Sequence, residues 1–486
     1  MRTGHGPTEE AQTARGPRRA TGRALRLRIG LTLAAASVAA LGPTALALPR
    51  AAAGPVSSPR IVSSQPTAWV VYSPGHNTLL VGIDVATNAI VATIKLPNSL
   101  GDSVGEFTPG ELAITPNGQT AYLAIEFKSE ILPIDLKTRS LGTPIKVHNN
   151  PAAIAIMPNG SSAYVFGYVS SSKATVVAVK TSNGTTGKAV AVGPLESAGA
   201  GGIAITPNGK SVWVASSENG TISSISVATG KVGKPIAVGA FPIAIAVTPD
   251  GKTAWVANSL DNDIVPVDLA NGKVGKKVGL PGGPVDVSIT PNGHYAFVPL
   301  GSPATGAVRV GLDGTHPVQK IRLLDPSKSP LQAAAVAVAP AGRTAFFGAS
   351  SEGYVTPVVV STARQTASIA LSGGVSEVSA IAITPDQAPT ARFTVKVSGR
   401  KVTLNASSSS AWFGTIAAYA WTFGDSGSSH SSSPTASHTY RKAGNYTITL
   451  VVTDSLGTST TLVFTGQTVS RNGGPRAMKA TVVKIS

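Results

Sequence analysis

The stretch GIAITPNGKSVWV, residues 202–214, decides the fold of this chain because it recurs along the sequence. Close copies are AIAIMPNGSSAYV at 153–165 and AIAVTPDGKTAWV at 244–256. Each copy is an apolar segment, a turn, and a second apolar segment that contains an aromatic residue. In the turn, Pro presets φ, Asn or Asp bonds to its own backbone, and Gly accepts a positive φ. Two antiparallel strands joined by a tight turn are therefore predicted at each copy.

The copies follow one another at intervals of 42 or 49 residues, measured between the turn prolines. These prolines are Pro116, Pro158, Pro207, Pro249, Pro291 and Pro340. An aromatic residue falls six positions after each one, at Tyr122, Tyr164, Trp213, Trp255, Phe297 and Phe346. A period in the forties with several short strands per unit is typical of a β-propeller blade. The identical register predicts that the aromatic residues pack between blades and do not form a ligand-stacking ladder.

The two ends of the array complement each other. Trp69 occupies the aromatic position but lacks the preceding turn-bearing strand, and such a strand occurs alone at 378–384. We therefore predict an all-β fold with a seven-bladed β-propeller over residues 61–386. The strand at 378–384 would complete the first blade, formed by residues 67–96, and closure would remove exposed sheet edges. The alternative is an open solenoid with capped ends.

These repeats resemble the YVTN family of β-propellers. The resemblance is carried by AYV at 163–165, AWVANS at 254–259 and VATGKVGKPIAVG at 227–239, and by ITPNG at 114–118, 205–209 and 289–293. It covers about two-thirds of the chain and implies the propeller fold, while it implies little about activity.

A change of composition marks a second domain at residues 387–470. Short alternating strands are predicted at 392–397, 402–405, 448–453 and 460–465, which is typical of a β-sandwich. The segments YAWTFGDSG at 419–427 and HTYRKAGNYTITLVVTD at 438–454 resemble a PKD domain, which implies an immunoglobulin-like sandwich. Residues 471–486 are predicted to be a tail that forms one added strand or is disordered.

The first 47 residues have the pattern of an export signal. Seven arginines and two glutamates precede an apolar run from Ile29 to Ala47, and Ala45-Leu46-Ala47 fits a cleavage site. An uncleaved membrane anchor is the alternative, and the export route, general secretory or twin-arginine, stays open. Residues 48–60 are a Pro/Ala/Ser linker. These features predict an extracytoplasmic protein, secreted or associated with the cell surface.

Charge and cysteine content narrow the classes of function. The net charge is +17, of which the export segment contributes +5 (7 − 2), and the remaining lysines are scattered over turns. Scattered positive charge suits an anionic cell-wall polysaccharide and does not suit sequence-specific reading of nucleic acid. The chain has no cysteine, which excludes thiol catalysis and thiolate metal sites.

Few residues could carry chemistry. Glu111 and Asp286 are the only acids at the position where innermost strands would line a propeller channel, and His148 lies in a nearby loop. Together they are the candidate catalytic residues if the protein is an enzyme. Asp261-Asn262-Asp263 resembles a fragment of a calcium loop but lacks its other ligands, so these two acids are weak metal candidates. No cofactor is predicted.

Two main functions remain open at this stage, and a third is an accessory subunit that guides a separate enzyme to a polymer. The favoured one is a non-enzymatic scaffold or adhesion protein at the cell surface, because similar propeller and PKD pairs occur in surface-layer and cell-surface proteins. Its expected partners are cell-surface proteins or anionic cell-wall polysaccharide. The alternative is a secreted, lactonase-like hydrolase or lyase with a divalent ion at the channel mouth.

Overall fold

The computed structural model describes residues 65–74, 77–97, 111–170, 173–194, 200–301, 303–371 and 376–486. They belong to one compact unit, residues 61–486. The predicted export segment 1–47 and the linker 48–60 lie outside the described residues. The described part is all-β, with two 3-10 helices at Glu126–Lys128 and Pro475–Ala477.

Residues 67–383 form seven sheets of four or five strands, numbered here in chain order. Sheet 1 contains β1 (Thr67–Pro74), β2 (Leu79–Asp84), β3 (Ile90–Lys95) and β30 (Ser376–Ile383). Sheet 2 contains β4 (Leu112–Ile114), β5 (Thr120–Ile125), β6 (Glu130–Asp135), β7 (Ser140–Leu141) and β8 (Ile145–Lys146). Sheet 3 contains β9 (Asn150–Ile156), β10 (Ser162–Ser170), β11 (Lys173–Lys180) and β12 (Val190–Pro194).

Sheets 4 to 7 repeat the same order. They contain β13 (Ala200–Ile205), β14 (Ser211–Ser216), β15 (Thr221–Ser226) and β16 (Ile236–Ala237); β17 (Pro242–Val247), β18 (Thr253–Asn258), β19 (Asp263–Asp268) and β20 (Val278–Gly279); β21 (Ser288–Ile289), β22 (Tyr295–Pro299), β23 (Ala307–Gly311) and β24 (Gln319–Ile321); and β25 (Ala333–Val338), β26 (Thr344–Ala349), β27 (Tyr354–Val359), β28 (Arg364–Gln365) and β29 (Ile369–Ala370).

Sheet 1 joins the two ends of the array. Strand β30 pairs antiparallel with β1, and the register sets Ala68 opposite Ile383 and Val70 opposite Ile381. The pairing expected between the early and the late segment is therefore present. Each first strand contacts the first strand of the next sheet, in the order β30, β4, β9, β13, β17, β21, β25 and back to β30. We call these seven the inner strands.

The repeated aromatic residues fill the spaces between neighbouring sheets. Trp213 of sheet 4 packs with Ile245 and Val247 of sheet 5, and Trp255 of sheet 5 packs with Ile289 of sheet 6. Both tryptophan side chains are buried. Because each ring is covered by the following sheet, these residues stabilise the stack and present no ladder to a ligand.

The C-terminal domain follows with two main sheets and one small one. The main sheets are formed by β32 (Thr394–Ser398), β33 (Lys401–Asn405) and β36 (Thr435–Thr439), and by β34 (Ile416–Thr422), β35 (Ser428–Ser431), β37 (Gly444–Asp454) and β40 (Met478–Ile485). The small sheet contains β31 (Asp386–Gln387), β38 (Val463–Phe464) and β39 (Val469–Asn472).

One aromatic cluster forms the core of this domain. Trp421 is 1 % exposed and meets Phe393 edge to face, with 5.1 Å between ring centroids. The hydroxyl of buried Tyr440 donates a hydrogen bond to the carbonyl of Phe423 at 2.9 Å. His438 stacks on Phe423 and contacts Asp425 at 2.7 Å. The signature residues of the predicted sandwich therefore make its core.

At the end of the chain, one of the two predicted alternatives for residues 471–486, an added strand, is present, and the prediction for residues 460–465 is wrong. Residues 478–485, assigned to a tail, form β40 and pair with β37 over eight positions, so the domain extends beyond residue 470. Residues 460–465 do not form a strand of the sandwich; only Val463–Phe464 is a strand, and it lies in the small sheet. The reason is that Phe464 is covered by sheets 3 and 4 instead.

Candidate functional site

A loop of the C-terminal domain enters the space between the inner strands. This loop spans residues 465–468, and three of its consecutive carbonyls accept hydrogen bonds from three different sheets. Val247 N–H donates to Thr465 at 3.3 Å, Ile205 N–H to Gly466 at 2.7 Å and Ile156 N–H to Gln467 at 3.0 Å. Inner-strand amides that would otherwise lack a strand partner are thereby satisfied. We call residues 465–468 the insertion loop.

Apolar contacts hold the insertion loop on both sides. Phe464 and Val469 are 0 % and 1 % exposed and pack in one cluster with Met157, Ile203 and Ile205. Gly466 lies at φ +120°, and a Cβ there would come within 3.0 Å of the Val247 nitrogen. The loop backbone therefore approaches the inner strands as closely as a glycine permits.

The same domain also contacts the turns of the repeated units. Gln387 Nε2 donates to the carbonyl of Pro116 at 2.8 Å, and Arg471 Nε donates to the carbonyl of Pro340 at 2.7 Å. Burial lowers the pKa of Arg471, and the charges of Asp454 and Asp386 oppose that change. Because both prolines belong to the repeated turns, the C-terminal domain lies on the turn-bearing side of the sheets.

Glu111 and Asp286 both face the inner strands, and each satisfies backbone amides of the sheet that follows it. Glu111 Oε2 accepts from Ile154 N–H at 3.2 Å, and Asp286 Oδ2 accepts from Val336 N–H at 2.9 Å. Glu111 Oε1 also accepts from Gln467 Nε2 of the insertion loop at 3.1 Å. The two carboxyls therefore bridge neighbouring sheets, and one of them also binds the C-terminal domain.

Burial controls the protonation of this pair. Burial raises the pKa of Glu111 to about 8, and the negative charge of Asp286 adds to the rise. Burial raises the pKa of Asp286 to about 6, against hydrogen bonds from Val336 and Val287. At neutral pH Glu111 therefore keeps its proton, and a divalent cation would have to displace that proton before it could bind.

Beside the insertion loop lies a small cavity of about 50 Å³. Its walls come mainly from the inner strands of sheets 6, 7 and 1 and from residues 465 and 467–470, with Leu112 of sheet 2 and Ala246 of sheet 5. This volume is sufficient for one or two water molecules. The insertion loop thus leaves no room in this part of the central space for a ligand of metabolite size.

His148 lies away from the two carboxyls. Its side chain is exposed, its backbone has φ +56°, and it lines a groove between sheets 2 and 3 that includes Tyr122 and Thr181. Among the described residues, no hydrogen bond or ion pair joins His148 to Glu111 or Asp286. Glu111, Asp286 and His148, the candidate catalytic residues of the enzyme hypothesis, are therefore not brought together in one site.

Asp261 and Asp263 share a lysine. Lys277 Nζ lies 3.0 Å from Asp261 Oδ2 and 3.1 Å from Asp263 Oδ2. Hydrogen bonds from Ala240 N–H and from Lys277 lower the pKa of Asp261. Asp263 also accepts from Asn258 Nδ2 at 2.8 Å. The lysine ammonium supplies the positive charge that a calcium ion would bring to this pair of acids.

Within the described ranges, no group of three or more His, Asp or Glu side chains is arranged to hold a metal ion. In the same part of the chain, none of the helices is long and apolar enough to cross a membrane.

Sequence reasoning missed the insertion loop. Its only local signal is the apolar run Leu462-Val463-Phe464 followed by Thr-Gly-Gln, which was assigned to a strand of the sandwich. The sequence alone does not show which apolar surface covers such a segment.

Residues 386–469 match the PKD domain family. A similar segment occurs in the pre-pro-metalloprotease PrtV of Vibrio cholerae serotype O1, from strain M66-2 and from strain ATCC 39315 / El Tor Inaba N16961. Each is 42% identical over 94 residues, which is 19% of this chain and 10% of the protease. The chain thus spans about a tenth of these curated relatives. The C-terminal domain is an immunoglobulin-like PKD domain.

Solved structures resemble the repeated sheets. A functionally unknown protein from Desulfotomaculum acetoxidans DSM 771 has a TM-score of 0.52 and 19% identity, covering 65% of this chain and 98% of that one. Kuenenia stuttgartiensis hydrazine synthase has a TM-score of 0.47 and 22% identity, covering 54% and 79%. At 19% identity, the similarity to the Desulfotomaculum acetoxidans protein bears on the fold alone, which is β-rich and propeller-like.

Proposed function

We propose that this chain is a non-enzymatic scaffold or adhesion protein of the cell surface, built on a seven-bladed, YVTN-like β-propeller. In this proposal the seven sheets are the blades, β30 closes the ring beside β1, and the export segment brings the chain out of the cytoplasm. Its partners are cell-surface proteins or anionic cell-wall polysaccharide.

The insertion loop is the observation that carries this proposal. Propeller enzymes need open space and free polar groups at the centre of the ring. In this chain the loop occupies part of that space, and Glu111 and Asp286 are engaged with backbone amides and with Gln467. In this proposal, partners contact the outer surfaces of the repeated sheets and of the C-terminal domain.

Cell fractionation tests the proposal. An epitope-tagged chain expressed in its native host is expected in the envelope fraction or the medium. Recovery in the cytoplasm alone would refute an extracytoplasmic role. A cytoplasmic enzyme of the same host serves as the lysis control.

The alternative is a secreted hydrolase or lyase of lactonase type with a divalent ion. One observation favours it: two buried carboxyls lie close enough for the charge of Asp286 to raise the pKa of Glu111. This alternative expects Ca²⁺, Mg²⁺ or Mn²⁺ to raise the melting temperature, and Glu111→Gln with Asp286→Asn to abolish the rise. The scaffold proposal expects no ion-dependent shift. The match to PrtV covers a PKD region only, so no protease activity is proposed.

A further inference from the structure

We propose that the end of the C-terminal domain farthest from the repeated sheets binds an anionic cell-wall polysaccharide through five cations. These are Arg400, Lys401, Arg441, Lys442 and Lys484, called here the basic tip. The inference deepens the proposed scaffold function, on which its biological meaning rests, by naming one contact surface and one partner.

Two turns and one strand end bring the basic tip together. Arg400 lies in the hairpin turn between β32 and β33, and Arg441 lies in the turn between β36 and β37. Arg400 Nη1 donates to the carbonyl of Arg441 at 2.7 Å, and Tyr440 N–H donates to the carbonyl of Arg400 at 2.9 Å. These bonds place the two turns side by side.

The remaining three cations lie at the same end. Lys401 begins β33 opposite Ser398, Lys442 follows Arg441, and Lys484 pairs with Asn445 at the start of β37. The hydroxyl of Tyr446 donates to the carbonyl of Lys442 at 3.0 Å, which fixes the second turn. All five residues of the basic tip are exposed.

The basic tip lies far from the repeated sheets. Strand β37 runs from Gly444 at the tip to Asp454 at the junction, where Arg471 contacts the repeated turns. Its 11 residues span roughly 35 Å at about 3.4 Å per residue. The tip is therefore free of the contacts that hold the domain to the sheets.

The charge of the domain is one-sided. Residues 386–486 contain ten Lys and Arg against three acids, Asp425, Asp454 and the fully buried Asp386. Asp425 is engaged with His438 at 2.7 Å, and Asp454 is buried at the junction. Within the described ranges, no ion pair joins a residue of the basic tip to a carboxylate. Half of the domain's cations thus remain available at one end.

The arrangement fits an extended polyanion better than a small anion or a membrane. The cations come from separate turns and a strand end, so their charges are spread out and match a polymer with repeated negative groups. Membrane-binding surfaces commonly add exposed Trp or Phe side chains. The turn sequences Ser-Gly-Arg-Lys (398–401) and Tyr-Arg-Lys-Ala-Gly-Asn (440–445) contain neither.

The test compares two variants of the full chain that lose the same charge. One carries Arg400→Gln, Lys401→Gln, Arg441→Gln, Lys442→Gln and Lys484→Gln. The control carries Gln at five exposed lysines of the repeated sheets, Lys188, Lys210, Lys231, Lys234 and Lys273. Binding is measured against polygalacturonate, with its fully methyl-esterified, uncharged form as the ligand control.

We expect the wild-type chain and the control variant to bind polygalacturonate similarly, with affinity falling as NaCl is raised. The tip variant is expected to bind at least about tenfold more weakly, since five individually weak contacts act on one polymer. Equal losses in both variants would overturn the proposal, because they would mean diffuse attraction. So would absence of wild-type binding in about 50 mM NaCl, or binding to anionic lipid vesicles without binding to the polymer.

A second variant guards against a folding defect. Because Arg400 supports the carbonyl of Arg441, a triple variant with Lys401→Gln, Lys442→Gln and Lys484→Gln leaves that bond in place. It should melt like the wild type and still lose about threefold or more in affinity. If the protein is found in the envelope but does not bind the polymer, only the proposal for the basic tip is rejected. A protein found only in the cytoplasm would reject the proposed function, whatever the polymer result.

Discussion

The seven repeated sheets and the C-terminal domain are both all-β, but their cores are distributed differently. In the repeated sheets, an aromatic residue at the same register packs between neighbouring sheets; Trp213 and Trp255 are buried there, and Tyr164 is partly buried. In the C-terminal domain, one cluster around Trp421 and Tyr440 forms the whole core. Stability is therefore spread over several similar clusters in one region and concentrated in a single cluster in the other.

The largest effect on stability is expected when the Trp421 side chain is removed from the core of the C-terminal domain. Trp421→Ala is expected to lower the free energy of unfolding by about 3–5 kcal/mol, because it deletes a fully buried side chain and leaves a cavity. Chemical denaturation followed by circular dichroism measures this loss. Trp412→Ala is the control: its side chain is 61 % exposed, so a change within about 0.5 kcal/mol is expected. Equal losses in the two variants would contradict the assigned core.

Glu111 makes the repeated sheets sensitive to pH. Its folded-state pKa is about 8, above the ordinary value of 4.5, so the folded chain retains a proton that the unfolded chain releases between these values. The stabilising contribution is full below pH 4.5 and is lost as pH rises through about 8. Glu111→Gln should remove a pH-dependent loss on the order of a few kcal/mol.

Asp286→Asn provides the matched comparison for that experiment. Its folded-state pKa is about 6 against an ordinary 3.8, so its window lies at lower pH. The pH dependence of the melting temperature should therefore weaken between 4.5 and 8 in the first variant and between 3.8 and 6 in the second, where loss of the Asp286 charge also lowers the pKa of Glu111. Unchanged pH profiles in both variants would show that the two carboxyls are not buried.

Gly466 tests the link between the two regions. Gly466→Ala places a Cβ within 3.0 Å of the Val247 nitrogen and strains a backbone at φ +120°. We expect a loss of about 1–3 kcal/mol by denaturation and a weaker connection between the domains. Gly399→Ala also has a positive φ, but nothing lies within 4 Å of the new Cβ. A larger loss in Gly399→Ala than in Gly466→Ala would contradict the position of the insertion loop.

The smallest effect is expected at the surface of sheet 5. Lys277→Met leaves Asp261 and Asp263 without their shared ammonium and should cost at most about 1 kcal/mol, because Lys277 is half exposed. Lys276→Met changes the same charge at the neighbouring exposed position. Melting curves at low salt compare the two. A larger loss of stability in Lys276→Met than in Lys277→Met would contradict a stabilising contribution of Lys277.

Local signals made the repeated sheets predictable. The residue types of Pro249-Asp250-Gly251 predict a tight turn between two antiparallel strands, and β17 and β18 lie on either side of it. The repeat also predicted that the strand at 378–384 completes the sheet of residues 67–96, because one unit lacked a strand that the other end of the array carried, and β30 pairs with β1 there.

The insertion loop was not predictable, because its bonds carry no local pattern. Gly466 accepts from Ile205, which lies more than 200 residues earlier in the chain. The apolar residues before the loop indicate that this segment is buried, but not which surface covers it. The same limit applies to Asp261 and Asp263, since their cation comes from Lys277, outside the motif that suggested calcium.

Hydrogen exchange at the backbone amides of Ile156, Ile205 and Val247 tests the central claim most directly. These three N–H groups donate to the insertion loop, so in the full chain they should exchange only through rare opening, orders of magnitude more slowly than exposed amides. In Gly466→Ala their protection should fall while that of Val256 in β18 stays high. Exchange of all three amides within seconds in the wild-type chain would contradict an insertion loop fixed between the inner strands.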